Sequence, residues 1–457
     1  MKRDEQKLIE KTKKISVKEG CGWGIMEGFG VRYITPFALA IGANNAQVGL
    51  LSSVPSLIGN LSELGTIKAM NKYPRKKIIF FGAILQAIMW LFLIGIGALV
   101  FVLGIKNSLP AYSLILVYTL LVVFGAIISP AWISWMKDIV THNLGDYFGK
   151  RSKKINIVIF TSILIASFVL DYFKQTKLFL GFIILFSLAF AGRAISAFLM
   201  LKQYEPKLKP DKKAYFSLIQ FIKKMRENNF GRFVIYMSLV SLTVNIASPF
   251  FAVYMLKQLH FSYIEFMIVL LSSSIASFML MPLWGRFSDK HGNIRTMNIT
   301  GFLTTLIPFL WLLSAVLMHS ETNKILYFLI LAEILSGMVW AGFNLASSNF
   351  IYDAVSRQRV AICVTYFHII NSVGVLIGAG LGGLISSQSF TIIGLNSLLF
   401  VFLLSGIGRM IVYFTLNKKI KEVRIVRGFN IKKYTKEKII HVTRLLYHFE
   451  KSKMGGR

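Results

Sequence analysis

Twelve apolar runs separated by short polar gaps leave this chain few folds to choose from. They lie near residues 22–43, 47–69, 78–105, 109–136, 155–170, 178–201, 233–256, 262–287, 296–318, 325–352, 360–385 and 391–416. A helix needs about 20 residues to cross a hydrocarbon core about 30 Å thick, and only the run at 155–170 is marginal. Lipid offers no partner for backbone N–H and C=O groups, so such runs must satisfy them internally, as helices do. The expectation is an all-α integral membrane protein with twelve transmembrane helices.

Charge patterning supports this and sets an orientation. The net charge is +32, yet only 16% of residues are charged and 55% are hydrophobic. Nucleic-acid binding would need a soluble basic face; here the cations sit in the gaps between apolar runs. About 44 of the 52 Lys and Arg fall on one side, in the N-terminus, alternate loops and C-terminal tail. The opposite loops hold Lys106, Lys174, Lys177, Lys257 and Lys324. The positive-inside bias then places both termini in the cytoplasm of a cell-membrane protein. No small-residue cleavage site follows the basic N-terminus, so no removable signal peptide is expected. Cys21 and Cys363 are too few for a disulfide framework or a zinc site, and no cofactor or metal is expected.

The chain divides into a first six-helix half (1–201), a basic linker (202–232), a second half (233–417) and a basic tail (418–457). In the linker Tyr215, Leu218, Ile219, Ile222 and Met225 recur at helical spacing, as on an interfacial amphipathic helix. Ile439, Val442, Leu446 and Phe449 repeat that pattern in the tail, where docking on anionic lipids and a solvated basic tail are both open. The halves look like repeats. Asp138 matches Asp353 at the end of the fourth run of each half, and Arg193 matches Arg409 in the last.

The gap between the eighth and ninth runs reads Gly285-Arg-Phe-Ser-Asp289-Lys-His-Gly292-Asn-Ile-Arg295. Its order resembles the signature loop of the major facilitator superfamily of transporters, which recurs in both halves of a twelve-helix protein. In the first half Gly65 answers Gly285, but Ala69 stands where Asp289 would be, leaving only the basic run Arg75-Lys-Lys77. Pro130-Ala-Trp-Ile-Ser-Trp-Met136, Arg193-Ala-Ile-Ser196 with Tyr204-Glu-Pro206, and Ala341-Gly-Phe-Asn344 resemble a poorly characterised prokaryotic branch. The resemblance implies two six-helix pseudo-repeats, a monomer, and a central cavity lined by the first, fourth, seventh and tenth helices. It also implies that Asp289 locks the cytoplasmic side against the start of the eleventh helix. Gly285, Asp289, Gly292, Arg295, Arg357 and Arg359 are therefore the expected gating residues.

Polar groups inside the runs are the other candidates, since a charge in mid-bilayer costs about 2.5–3.5 kcal/mol on insertion scales. Glu27 and Arg32 lie in the first run, roughly 140° apart on a regular helix, and are not expected to pair with each other. Glu333, Ser336, Trp340, Asn344 and Ser347 form a stripe on one face of the tenth, and Ser238, Ser241, Asn245 and Ser248 another on the seventh. Each stripe could line water or glue helices together; the resemblance favours the cavity. Arg32, Asn245, Trp340 and Asn344 are the substrate candidates, while Glu27, Glu333 and His368 could carry a coupling proton, Glu333 by alternating with Arg32. Gly20, Gly24 and Gly28, and Gly374, Gly378 and Gly382, mark faces where helices meet closely.

Together these features describe a secondary carrier of a small molecule, not an enzyme. There is no nucleotide-binding Gly-x-x-x-x-Gly-Lys-Ser/Thr run. A polytopic membrane enzyme would cluster catalytic groups at an interface, and a channel would build rings from several copies. Efflux of amphipathic compounds is favoured over uptake of a small polar solute held by Arg32 and Glu333.

Overall fold

The computed structural model describes residues 3–70, 72–140, 144–175, 177–206, 217–316, 322–356, 359–392, 394–424 and 426. In the first half, α1 (Arg3–Phe29) passes through a 3-10 turn (Val31–Tyr33) into α2 (Ile34–Ala40). Then come α3 (Asn45–Ala69), α4 (Arg75–Phe101), α5 (Leu109–Ile139), α6 (Leu144–Phe173) and α7 (Leu178–Leu201). A short α8 (Leu218–Lys224) leads to α9 (Asn229–Ala247), α10 (Phe250–Val253) and a π turn (Tyr254–Gln258). There follow α11 (Tyr263–His291), α12 (Asn293–Val316), α13 (Thr322–Ala354) and α14 (Val360–Ser386). An antiparallel hairpin, β1 (Thr391–Ile392) and β2 (Leu395–Asn396), precedes α15 (Ser397–Leu416).

Joining α1 to α2, and α9 to α10 and the π turn, gives twelve long helical stretches among the described residues. Ten of them are long and apolar enough to cross a membrane. The first two are not. Charge fills the start of α1 and Gly30 interrupts its apolar run, while Asn, Gln and Ser dilute α3. Two expected boundaries shift. Helix α6 begins at Leu144, so the polar stretch before the marginal fifth run is itself helical, and the last helix starts at Ser397 behind the hairpin.

Close helix contacts follow the glycine faces. Gly374, Gly378 and Gly382 on α14 each lie against a carbonyl of α9, those of Ser238, Leu242 and Ile246. Gly24 and Gly28 meet Ile155, Ile159 and Ser162 of α6. A side chain at these positions would push backbones apart.

Burial distinguishes the two ends of the molecule. At the end away from residues 3 and 424, one apolar core spans both halves, joining Phe37, Trp90 and Phe186 to Phe250, Tyr254 and Trp311. Near the end carrying residues 3 and 424 the core splits in two. Ile79, Trp135 and Met136 belong to one cluster, and Phe233, Phe343 and Phe350 to the other. In α8, capped by Ser217 and Gln220, Phe221 packs against Phe230 and Tyr366 while Ile219 and Ile222 stay exposed. Tyr215 and the expected tail helix (Ile439, Val442, Leu446, Phe449) lie outside the described residues.

Candidate functional site

The first helix breaks where its charges are. Helix α1 ends at Phe29, Gly30 takes φ −107° and ψ −74°, and the next residues tighten into a 3-10 turn containing Arg32. That break overturns one expectation. Arg32 Nη2 lies 3.3 Å from Glu27 Oε1, because the 140° separation holds only for an uninterrupted α-helix. The Arg32 side chain nevertheless remains about half exposed, at 52%.

Arg32 lines a cavity of about 600 Å³ bounded by α6, α11 and α13. The first half contributes Arg32, Lys153, Asn156 and Phe160, and the second contributes Ser273, Ser274, Phe278 and Glu333. Arg32 and Glu333 thus face one space from opposite halves, but they are not an ion pair. Arg32 is held by Glu27, whereas Ser273, Trp311 and Arg409 surround Glu333. Arg409 is itself buried, and one of its Nη atoms donates to the Thr304 carbonyl at 3.0 Å.

The rest of the polar stripe opens elsewhere. Trp340, Phe343, Asn344 and Ser347 of α13, with His368 and Asn371 of α14, line a second cavity of about 350 Å³. Seven residues separate Glu333 from Trp340, about 10 Å along a helix. Ser241 donates to Asn371 Oδ1 at 2.7 Å across this cavity's wall. Asn245 lines neither cavity; its amide donates to the Ser241 carbonyl one turn earlier, at 2.8 Å. The stripe was legible as spacing, but the hydrogen bond that turns Asn245 back onto its own helix was not.

Hydrogen bonds joining the halves gather at the end away from residues 3 and 424. Asp171, in the last turn of α6, receives the Tyr263 and Ile264 N–H groups, both at 2.8 Å, at the start of α11. A carboxylate there satisfies orphan donors and complements the helix dipole. Asn45 donates to the Ser386 carbonyl at 2.7 Å, and Lys257 to that of Ala43 at 3.1 Å. Further along, Asn60 reaches the His368 carbonyl at 3.3 Å.

The opposite end carries two charged clamps. In the first half the fully buried Arg75 donates to Asp138 Oδ2 at 2.7 Å, Ser134 Oγ at 3.1 Å and the Pro206 carbonyl at 2.7 Å. Its backbone N–H is capped by Glu205 at 2.8 Å, and Trp135 donates to the Tyr204 carbonyl at 2.9 Å. The Ser-Trp pair of the 130–136 segment and the Tyr-Glu-Pro segment at 204–206 are therefore two sides of one contact. Arg75 was missed as a functional residue; its signal was the basic run facing the repeated aspartate.

In the second half Arg424, beyond the last helix, donates from Nε to Asp353 Oδ2 at 2.7 Å and lies 3.5 Å from Asp289. Asn293 also reaches Asp353, at 2.6 Å, and Glu422 caps the Ile294 N–H at 2.9 Å. The bond to Asp353 pushes the Arg424 pKa further up, so it remains a cation at physiological pH. Asp289 therefore meets the tail segment and not Arg359, whose backbone N–H bonds to Ser356; Arg357 lies outside the described residues. Gly292 ends α11 at φ +93° with Glu422 packed on it, Arg295 lies in the first turn of α12, and Gly285 is inside α11 with only Leu345 near.

Residues 233–430 match the family model described as Major Facilitator Superfamily. The chain also superposes on the crystal structure of nucleoside transporter NupG with a TM-score of 0.65 at 16% identity, covering 91% of this chain and 99% of that one. This is a major facilitator superfamily fold. A bacterial metal transporter matches with a TM-score of 0.60 at 11% identity, over 89% of this chain and 98% of its own. An inward-facing, unoccupied bacterial homologue of the lysosomal transporter Spinster matches at 0.56 and 13%, over 94% and 100%. No curated protein matches the chain. The chain shares the fold of these multi-pass membrane proteins, and ten of its described helices are long and apolar enough to cross a membrane.

Proposed function

We propose that this protein is a secondary carrier that moves a small amphipathic molecule across the cell membrane by alternating access. One observation supports it above the others: both halves supply charged side chains to a single cavity, Arg32 and Lys153 from the first and Glu333 from the second. Such a cavity can change the side it faces when the halves rock about it. The cores merge and hydrogen bonds cross at the end away from residues 3 and 424, and the core separates at the other end. With both termini in the cytoplasm, as the positive-inside bias indicates, this arrangement is inward-facing. Efflux suits the apolar share of the cavity wall. Asp289 and its loop act as the gate on the cytoplasmic side, and Glu333 is the first choice for proton coupling.

Reconstituted into liposomes, the protein should show saturable uptake and counterflow, which a channel would not. Glu333→Gln should abolish gradient-driven accumulation while leaving energy-independent exchange intact. Loss of both, or of neither, would remove Glu333 from the coupling role. A second reading rests on the smaller cavity, where Trp340, Phe343 and His368 stand beside Asn344 and Asn371. Rings and amides together suit an uncharged heterocyclic solute such as a nucleoside. Thermal stabilisation by uridine, lost in Asn344→Ala, would favour it.

A further inference from the structure

The charge on the larger cavity can be counted group by group. Arg32 is neutralised by Glu27 at 3.3 Å. Glu333 is buried, and Arg409 beside it opposes its charge from within the same half. That leaves Lys153, which is exposed and has no carboxylate partner among the described residues. Among the described residues the wall therefore carries one uncompensated positive charge, and a partly apolar cleft focuses such a charge on an entering anion.

The layout of α6 separates that charge from an apolar body. Lys153, Asn156, Ile157 and Phe160 follow at steps of three, one and three and share one helix face lining the cavity. Along the helix, Lys153 lies about 10 Å and Asn156 about 6 Å from Phe160. Across from it, α11 presents Leu271, Ile275 and Phe278, with Ser274, whose hydroxyl donates to the Leu270 carbonyl at 3.4 Å. Lys153 and Asn156 stand at one end, apolar side chains of α6 and α11 make up most of the wall beyond them, and Arg32 and Glu333, each beside an opposite charge of its own half, complete it, so the cavity can receive a head and a tail.

We infer that the cavity between α6 and α11 takes an amphiphile with a single anionic head group, seated on Lys153 and Asn156, with its tail along Phe160, Leu271 and Ile275. This rests on the carrier reading and adds the sign of the substrate's charge. A cationic amphiphile would have to take Glu333 away from Arg409 while its head lay in the field of Lys153.

The test is equilibrium binding to the full chain in phosphatidylcholine nanodiscs, with decanesulfonate and decyltrimethylammonium as probes. Decanesulfonate should bind at least tenfold more tightly. Lys153→Gln should weaken it about tenfold, leave decyltrimethylammonium binding no weaker, and not change the unfolding temperature, since Lys153 is exposed. Equal or tighter binding of the ammonium probe, or no response to Lys153→Gln, would overturn the inference. Phosphatidylglycerol in the disc distinguishes the source: displacement of the sulfonate assigns the site to an anionic membrane lipid, and no displacement to a soluble amphiphile. Both results keep the anionic head. Because binding is read without transport, the inference can fail while counterflow is intact, and absent counterflow would sink the carrier reading alone.

Discussion

The two clamps at the terminal end solve one problem with cations from different places in the chain. Each half must hold the aspartate that ends its fourth long helix, Asp138 or Asp353, and must cap its third long helix, α4 or α12. Capping falls to a glutamate in both, Glu205 after α7 and Glu422 after α15, each on a backbone N–H at the helix start. The guanidinium does not keep its place. In the first half it is Arg75, at the start of α4 and fully buried. In the second it is Arg424, five residues beyond the last helical turn at 417–419 and 37% exposed. A buried cation fixed inside its own half makes a permanent joint. A partly exposed one on a segment past the last helix can leave without disturbing α11 or α12. On the carrier reading proposed above, the second-half clamp is the one that opens.

Breaking each clamp should expose the asymmetry. The largest effect belongs to Arg75→Met. It removes the buried guanidinium that joins Asp138, Glu205, Ser134 and the Pro206 carbonyl; a fully buried pair would cost about 3–5 kcal/mol, and the 41% exposure of Asp138 reduces the expected loss to about 2–3 kcal/mol. A fall of many degrees in unfolding temperature, measured in detergent, is the expected outcome; a shift of a degree or two would mean that Arg75 is no anchor. Arg424→Gln should cost less, about 1–2 kcal/mol, because Arg424 is itself partly exposed and Asn293 still donates to Asp353. Its mark should be faster amide exchange at Ile294 and altered turnover. If Arg424→Gln destabilised the protein as much as Arg75→Met, the two clamps would be equivalent and the release argument would fail.

Asp289→Asn should have the smallest effect on stability, under about 0.5 kcal/mol. Its carboxylate is 75% exposed and 3.5 Å from Arg424, a weak surface pair. Any loss of transport rate beyond that small change would then report gating and not folding. Unchanged stability together with an unchanged rate would show that the signature loop is vestigial here in both halves.

Sequence alone determined what depends on local composition. Hydropathy adds along a segment, so the apolar runs and the glycine faces were readable from spacing, while the expected polar gap at 285–295 is helical but for Gly292. The matched residues Asp138 and Asp353 were legible for the same reason, each being a fixed distance from a helix end. Ion pairing was not, because it depends on a few ångströms between groups that sequence separates widely. Arg75 meets Glu205 across 130 positions, Arg424 meets Asp289 across 135, and Asp171 caps α11 across about 90. Even the near neighbours Glu27 and Arg32 were misjudged, since one glycine ends the helix whose regularity the estimate assumed. Spacing could place residues on a helix face, but only tertiary structure decided what each face met.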